Sequence, residues 1–336
     1  MGVHEQHRSS ATEPDLVYET DLGQMYCGDT LAFLGKPAGL DLRGCAQLAF
    51  TSPPFPLIEK KKYGNLQGEE YIQWFASFAP KLRDLLTPDG SIVIEIGNAW
   101  EPGKPLMSTV VLRALLEFLE RGGLNLCQEF VWYNPARLPS PVQWVNVERI
   151  RVKDAFSRIW WMSPVDRPKA DNRRVLKPYS ASMKRLIETG KYNSGKRPSE
   201  YTIGKESFKA DNKGAIPPNV LGADEAPSLS SLLKSSNTRS TERYQAVCRE
   251  KNMPIHPARM PAELVEFFVK FLTDEGDLVF DPFGGSNTTG AVAESLGRRW
   301  VSCEAHRPYV VSSSARFAPD QVRLISSSDA IAVAAE

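Results

Sequence analysis

The residues best suited to chemistry form a short polar turn, Thr51-Ser52-Pro53-Pro54-Phe55, which directly follows the apolar run Ala46–Phe50. The apolar run predicts a buried strand, so the turn lies at a strand's carboxyl end, where open α/β sheets bind ligands. Each proline fixes its own φ and removes an N–H donor, which leaves carbonyls of the turn free to accept hydrogen bonds. The exocyclic amino group of a nucleobase fits such an edge. An ordinary surface turn is the alternative.

A second motif, Asp281-Pro282-Phe283-Gly284-Gly285-Ser286-Asn287-Thr288-Thr289-Gly290, follows the apolar run Leu278–Phe280. Its adjacent glycines let a ligand approach the backbone closely where a helix begins. The loop has neither the lysine of an ATP-binding loop nor the glycine spacing of a dinucleotide fingerprint. Asp281 and Glu304, an acid at the end of the next predicted strand, favour a ligand with positive charge and ribose hydroxyls. S-adenosylmethionine meets both conditions, although a strand-end acid such as Glu304 is often only solvated.

Strands and helices must alternate around these two motifs, because apolar residues recur with strand and helix periods on both sides of a less regular middle region. The predicted strands are one ending near Cys27, Ala46–Phe50, Ser91–Ile96, Gln128–Tyr133, Phe156–Met162, Leu278–Phe280 and Arg298–Glu304. The predicted helices are Tyr71–Leu86, Ser108–Leu119, Pro261–Leu272 and Thr288–Leu296, and Pro88-Asp89-Gly90 is predicted as a turn. This alternation predicts an α/β fold with a mainly parallel, doubly wound sheet that helices cover on both faces.

The middle region carries most of the positive charge. Residues 149–213 have a net charge of +10 and the rest of the chain −9, which together give the overall +1. Such a block is typical of a surface that faces a polyanion, because neutralising phosphates releases counterions; a solvated flexible insertion is the alternative. Its aromatic residues, among them Trp144, Tyr179 and Tyr201, favour a loop-rich recognition subdomain over a disordered linker. Candidates for phosphate contacts are Lys153, Arg173, Arg174, Lys177, Lys184 and Arg185.

Composition narrows the class of protein further. The chain has no apolar run near the roughly 20 residues that span a bilayer, and its start is polar, so we expect a cytoplasmic protein without membrane contact. Five scattered cysteines without a Cys-x-x-Cys pair support neither disulfides nor a zinc site, and no metal is expected. The predicted organisation is a disordered start (1–14), a catalytic half (15–140), a target-recognition region (141–252), a cofactor-binding half (253–318) and a peripheral tail (319–336).

The Thr51–Phe55 turn and the Asp281–Gly290 loop together resemble the amino-methylating DNA methyltransferases, in the motif order of their β group. From about Tyr18 to Phe317 the chain closely resembles the PvuII-type cytosine-N4 modification methylases. The segments that carry this resemblance include Lys62–Leu66, Leu138–Pro141, Arg151–Ala155 and His256–Arg259. The resemblance implies a class I S-adenosylmethionine-dependent methyltransferase fold with an inserted DNA target-recognition region.

The resemblance also implies a set of cofactor-binding residues, with Asp29 at the adenine, Glu304 at the ribose and the segment from His256 at the methionine end. The full set is Asp29, Thr30, His256, Pro257, Arg259, Asp281, Phe283, Gly284, Gly285, Asn287, Thr288 and Glu304. Asn287 departs from the commoner Gly-Ser-Gly form of the loop. Ser52 stands where adenine-N6 enzymes usually carry aspartate, which favours cytosine, and adenine remains the alternative target.

A catalytic hypothesis follows for the turn. An amino group inside a duplex is out of reach, so the target base of double-stranded DNA would flip into the pocket. Phe55 would stack on the base, while the Ser52 hydroxyl and the Pro53 carbonyl, held by the Pro54 turn, would accept hydrogen bonds from its amine. Glu95, at the end of the next predicted strand, is either a second acceptor and proton sink or a solvated acid. No Pro-Cys dipeptide is present, which argues against cytosine-C5 methylation.

The resemblance finally implies the modification arm of a type II restriction-modification system, with CAGCTG as the possible site and a cognate endonuclease linked only genetically. Two alternatives remain open at this point. One is an adenine-N6 enzyme, and the other is a catalytically silent DNA-binding protein with the same fold.

Overall fold

The computed structural model describes residues 14–56, 66–191, 194–204, 210–222 and 242–325. Three expectations lie wholly or largely outside these ranges: the disordered start, the 62–65 part of the Lys62–Leu66 segment and most of the peripheral tail.

Within the described residues the chain forms twelve strands and nine α-helices. The strands are β1 (Asp15–Glu19), β2 (Gly23–Cys27), β3 (Ala46–Thr51), β4 (Leu86–Gly97), β5 (Asn125–Tyr133), β6 (Phe156–Ser163), β7 (Gly195–Lys196), β8 (Thr202–Ile203), β9 (Val220–Leu221), β10 (Leu278–Asp281), β11 (Arg299–Glu304) and β12 (Arg323–Leu324). The helices are α1 (Thr30–Leu34), α2 (Pro37–Leu40), α3 (Gly68–Leu85), α4 (Val110–Gly122), α5 (Ala181–Thr189), α6 (Glu242–Glu250), α7 (Ala262–Leu272), α8 (Thr288–Ser295) and α9 (Arg307–Ser313).

Ten strands form the main sheet in the order β12-β1-β2-β11-β10-β3-β4-β6-β5-β9. The five adjacent strands β2, β11, β10, β3 and β4 are parallel to one another. Antiparallel pairs flank them, with β6 between β4 and β5 on one side and β1 beside β2 on the other. The expected α/β fold with a mainly parallel sheet is confirmed, and the carboxyl ends of β10, β3 and β4 meet at one edge.

Helices cover both faces of this sheet because the central strands are apolar on both sides. Successive side chains of a strand point to opposite faces. Ala49 of β3 packs in the core that contains helices α3 and α4, whereas Leu48 packs in the core that contains Phe268 of α7. Both residues are fully buried.

The predicted turn Pro88-Asp89-Gly90 is wrong, since these residues lie within β4. Ala46 of β3 pairs with Leu86, but the next pair is Leu48 with Ser91, so β4 advances five residues where β3 advances two. The extra residues form an irregularity in the strand rather than a turn before it. Proline and glycine are tolerated there because the ladder is already interrupted.

The structure does not separate residues 141–252 from the rest of the chain as one unit. Their role as a target-recognition region stays a prediction. Its first predicted strand is β6, a member of the main sheet between β4 and β5. A separate compact unit spans Ala170–Pro218. Within it lie α5 and the β7–β8 pair, and the Tyr179 hydroxyl accepts a hydrogen bond of 2.8 Å from the Asn212 amide. The chain then returns to the main sheet as β9, parallel to β5.

Candidate active site

A cavity of about 430 Å³ opens at the edge where β10, β3 and β4 end. The structure brings all five predicted catalytic residues and ten of the twelve predicted cofactor residues to its wall. These residues are Asp29, Thr30, Ser52, Pro53, Pro54, Phe55, Glu95, His256, Arg259, Asp281, Phe283, Gly284, Gly285, Thr288 and Glu304. Pro257 and Asn287 are not in the lining.

Ser52 and Glu95 form a hydrogen-bonded pair in this cavity. Because β3 and β4 are parallel neighbours with Thr51 opposite Ile94, the residues that follow these two lie side by side. The Ser52 hydroxyl donates to Oε2 of Glu95 at 2.6 Å. Burial raises the pKa of Glu95, whose side chain is nearly inaccessible, so Glu95 is not a solvated acid. The pair can accept a proton at the serine and pass one to the carboxylate.

Arg137 and Ser157 support Glu95 from the far side. Arg137 donates one hydrogen bond of 2.6 Å to the Ser157 hydroxyl and another of 2.8 Å to the Phe156 carbonyl. The hydrogen bonds from Ser52 and Ser157 and the positive charge of Arg137 oppose the rise in the pKa of Glu95. A buried chain of polar groups therefore leads from Arg137 through Ser157 to Glu95 and Ser52, and it favours the ionised carboxylate.

The Phe55 ring lies so close to Gly97 that a side chain at position 97 would collide with it. A Cβ atom added at Gly97, the last residue of β4, would come within 2.8 Å of the Phe55 ring. Real Cβ atoms do not approach so closely, so any side chain at position 97 would displace the ring. The end of β4 thus sets the position of the aromatic residue expected to stack on a base.

Asp281 links the catalytic strand to the glycine loop. Its carboxylate accepts hydrogen bonds from the Thr51 hydroxyl at 2.7 Å, the Thr289 hydroxyl at 2.6 Å and the Phe283 amide at 3.0 Å. The group is almost fully buried, and burial raises its pKa. One side chain therefore ties the residue before Ser52 to both sides of the loop that begins α8.

Glu304 holds the glycine loop from the end of β11. Its two oxygens accept from the Gly285 amide at 3.0 Å and the His306 amide at 2.8 Å, and burial raises its pKa. A carboxylate has about four acceptor positions, so Glu304 keeps acceptor capacity for a ribose hydroxyl. Gly285 has φ 53°, a left-handed conformation that favours glycine. A carboxylate that can accept hydrogen bonds and a glycine backbone that a ligand can approach closely fit S-adenosylmethionine.

The other predicted cofactor residues border the same cavity. Asp29 accepts a hydrogen bond of 2.9 Å from Ala32 and so caps α1, while Thr30 donates to the Pro282 carbonyl. Burial lowers the pKa of His256 to about 4, which leaves its ring neutral near pH 7. Arg259 donates to the His256 carbonyl at 2.7 Å, and this bond closes the turn around Pro257.

Asn287 has a structural role instead of lining the cavity. It is fully buried and has φ 54°, a left-handed conformation that asparagine tolerates better than most residues. Its side-chain oxygen accepts from the Gly290 amide at 3.1 Å and the Ser302 hydroxyl at 2.8 Å. Its side-chain nitrogen donates to the Tyr18 hydroxyl at 3.0 Å. Asparagine in place of the commoner glycine therefore caps α8 from beneath the loop.

The six predicted DNA-contacting cations fall in two places, and their role stays a prediction. Lys153 lies in the loop between β5 and β6 and donates to the Pro135 carbonyl at 2.7 Å. The other five belong to the 170–218 unit. Within that unit Lys184 and Arg185 are exposed on α5, and Arg173 pairs with Asp171 at 2.8 Å.

Sequence reasoning missed several residues of the cavity wall. They are Trp74, Trp132, Arg137, Met260 and Tyr309. None lies in a recognisable motif, and Arg137 and Trp132 reach the cavity only because β5 and β6 join the sheet beside β4. Knowledge of that strand order was needed to find Arg137 and Trp132.

Two absences apply to the described ranges alone. No cluster of three or more metal-binding side chains occurs within them. In the same ranges no helix has the length and apolar character to cross a membrane.

The parallel sheet, the glycine loop after β10 and the buried acid ending β11 define a class I S-adenosylmethionine-dependent methyltransferase fold. Residues 46–314 match the model of a DNA methylase family, the N6/N4 methyltransferases. The chain belongs to this family.

Comparison with individual proteins agrees with the family. The chain is 45% identical to the type II methyltransferase M.PvuII of Proteus hauseri over 307 residues, 91% of this chain and 86% of that protein. It is 25% identical to the type II methyltransferase M.BglII of Bacillus subtilis over 293 residues, 86% of this chain and 67% of that protein. The solved structure of the cytosine-N4-specific PvuII DNA methyltransferase superposes with a TM-score of 0.68, at 37% identity and 95% coverage of both chains.

Proposed function

We propose that this chain transfers a methyl group from S-adenosylmethionine to the exocyclic N4 of a cytosine flipped out of double-stranded DNA. The observation that carries the proposal is the Ser52–Glu95 pair, placed in one cavity with the glycine loop and Glu304. The 45% identity to M.PvuII supports cytosine as the target.

Different residues of the cavity would bind the cofactor and the target base. Bound S-adenosylmethionine supplies an electrophilic methyl group on its sulfonium. The Gly284–Gly285 backbone and the acids Asp281 and Glu304 would hold the cofactor, and the Ser52 side of the cavity would receive the base. Phe55, positioned by Gly97, would stack on the base and orient its amine.

Proton handling falls to Ser52 and Glu95. The serine oxygen accepts a hydrogen bond from the target amine while its own hydroxyl donates to Glu95. As the amine gains its methyl group, one of its protons passes to the Ser52 oxygen and the serine proton passes to Glu95. Burial raises the pKa of Glu95 and so makes it a better proton acceptor, while Ser157 and Arg137 oppose that rise.

The DNA target and the biological setting extend the same proposal. The 170–218 unit and its flanks would contact the duplex, with CAGCTG as the site and a type II restriction endonuclease as the genetically linked partner. The enzyme would act in the cytoplasm, together with its DNA. Adenine-N6 transfer is the alternative for the same fold, while the intact Ser52–Glu95 pair disfavours a silent DNA-binding protein.

Single-molecule sequencing of DNA from a methylation-free host that expresses the chain tests the proposal. We expect N4-methylcytosine at one short palindrome. Detection of N6-methyladenine instead would show that the chain is an adenine-N6 methyltransferase. DNA that stays unmodified, together with no methyl transfer from labelled cofactor to mixed DNA, would support the silent alternative.

A further inference from the structure

An exposed apolar surface borders the mouth of the cavity, on the loop that joins β5 to β6. Five aliphatic side chains of this loop are between 58% and 87% exposed; they are Leu138, Val142, Val147, Ile150 and Val152. We call them the apolar rim. Clusters of exposed apolar side chains mark interaction surfaces in soluble proteins.

The apolar rim lies at the same edge of the sheet as the catalytic turn, the edge where β3, β4 and β5 end. The strands β3, β4 and β5 run in one direction, since β6 is antiparallel to both β4 and β5. The loop after β5 therefore leaves the sheet at the edge where Ser52 follows β3. Arg137, the residue before Leu138, itself lines the cavity.

Leu138 is fixed in place while its side chain stays 81% exposed. On one side, Arg137 is held by its hydrogen bonds to Phe156 and Ser157. On the other side, Pro139 restricts Leu138 to extended backbone geometry. Leu138 is thus an exposed apolar side chain held one residue from the cavity wall, where a bound partner could cover it.

The charges around the apolar rim point to nucleic acid as that partner. The loop carries the cations Arg149, Arg151 and Lys153 beside two acids. Glu148 accepts a hydrogen bond of 2.9 Å from Gln143, and Asp154 accepts one of 3.0 Å from Asn98. Arg151 stacks over the Trp100 ring at 4.2 Å, so this part of the surface is ordered as well. Apolar side chains flanked by cations are typical of proteins that insert wedges between base pairs.

We propose that Leu138 enters the duplex and fills the space left by the flipped base, with the rest of the apolar rim against the neighbouring bases. This inference rests on the proposed function, because it needs a base that leaves the stack. A leucine in the gap makes van der Waals contacts with the neighbouring base pairs in place of those that the flipped base gives up, so Leu138 would stabilise the open state rather than the methyl-transfer step.

Leu138→Ala tests the proposal on a duplex that contains the methylated site identified by sequencing. We expect the kcat/KM for the matched duplex to fall about 10- to 100-fold, in keeping with the lost burial of one leucine side chain. The fluorescence gain of 2-aminopurine at the target position should shrink in parallel, and affinity for S-adenosylhomocysteine should not change. A mismatch opposite the target lowers the flipping cost, so it should restore most of the lost rate.

Leu116→Ala is the matched control, since Leu116 is 65% exposed on α4. Its kcat/KM and fluorescence should equal those of the unmodified enzyme. Equal loss of rate for Leu138→Ala on matched and mismatched duplexes would overturn the proposal, as would unchanged 2-aminopurine fluorescence. A concentration-dependent dimer that Leu138→Ala dissociates without affecting base flipping would assign the apolar rim to a second copy instead. Methylation by the unmodified enzyme reports separately on the proposed function.

Discussion

Ser52 and Glu95 share a hydrogen bond of 2.6 Å although 43 residues separate them in the chain. The contact exists because each follows a paired residue on adjacent parallel strands, and the sheet keeps both at one edge. The serine is thereby oriented by a carboxylate that the protein interior makes unusually basic.

Ser52→Ala should lower kcat by about 100- to 1,000-fold, the usual effect of removing one preorganised polar group at a reacting centre. Affinity for S-adenosylhomocysteine, measured by calorimetry, should stay the same. Ser77→Ala is the matched control, because the Ser77 hydroxyl bonds only to a helix carbonyl on α3, that of Trp74. Full methylation by the Ser52→Ala variant would show that the Ser52 hydroxyl has no role in methyl transfer.

Glu95→Gln should abolish one limb of the pH profile of kcat. Transfer needs ionised Glu95, and burial raises its pKa above the ordinary 4.5, so the rate should fall as the pH drops through that raised value. The variant should be slow and lack this limb. Asp281 is also buried with a raised pKa, so persistence of the limb in Glu95→Gln would assign it elsewhere.

The same substitution should stabilise the protein at neutral pH. Because the pKa of Glu95 is higher folded than unfolded, the stability contributed by this group is present at low pH. It is lost as the pH rises through the folded pKa. Glutamine carries no such charge, so urea unfolding at pH 8 should give a larger free energy of unfolding for Glu95→Gln, with little difference near pH 4. A less stable variant at pH 8 would show that hydrogen bonds to the carboxylate outweigh its burial.

Gly97→Ala should slow methyl transfer by displacing the Phe55 ring. The added methyl group would lie within 2.8 Å of the ring, which must then move. We expect kcat to fall at least 10-fold with cofactor affinity unchanged, since a misplaced base loses alignment with the methyl group. In a Phe55→Leu background the same substitution should cost much less, and additive effects would contradict this coupling.

Glu304→Gln should weaken S-adenosylhomocysteine binding by about 10- to 100-fold, because hydrogen bonds to a charged group contribute about 1.5–3 kcal/mol. Calorimetry of the DNA-free protein gives the measurement. Glu266→Gln is the control, since Glu266 pairs only with Lys270 on the surface of α7. Equal affinity for both variants would remove Glu304 from the cofactor site.

Asn287→Ala should destabilise the protein by about 2 kcal/mol, the combined effect of a lost helix cap and buried partners left without a hydrogen bond. Thermal unfolding measures this loss. Asn287→Gly keeps the left-handed backbone and should recover part of it. If both variants bind cofactor weakly at unchanged stability, Asn287 contacts the cofactor directly.

The sequence was sufficient to predict those parts of the site that depend on local pattern. The apolar run before Ser52 and the glycines after Phe280 identify strand ends, and strand ends in a parallel sheet converge. The position of Arg137 near Glu95 could not be predicted from the sequence, because it depends on the place of β6 in the sheet. Periodicity does not give strand order. The capping role of Asn287 was also beyond prediction, because its left-handed φ shows only in three dimensions, and its expected contact with the cofactor stays a prediction.

The hydrogen bond between Thr51 and Asp281 joins residues 230 positions apart. Alignment of the Thr51–Phe55 turn with the Asp281–Gly290 loop is thus set by the pairing of β3 with β10 and by this side-chain link, and not by polypeptide continuity between the two motifs. A circularly permuted protein, with its original ends joined and new ends opened in the 170–218 unit, should keep this link. The order in which the two motifs follow each other along the chain is therefore not what places them together.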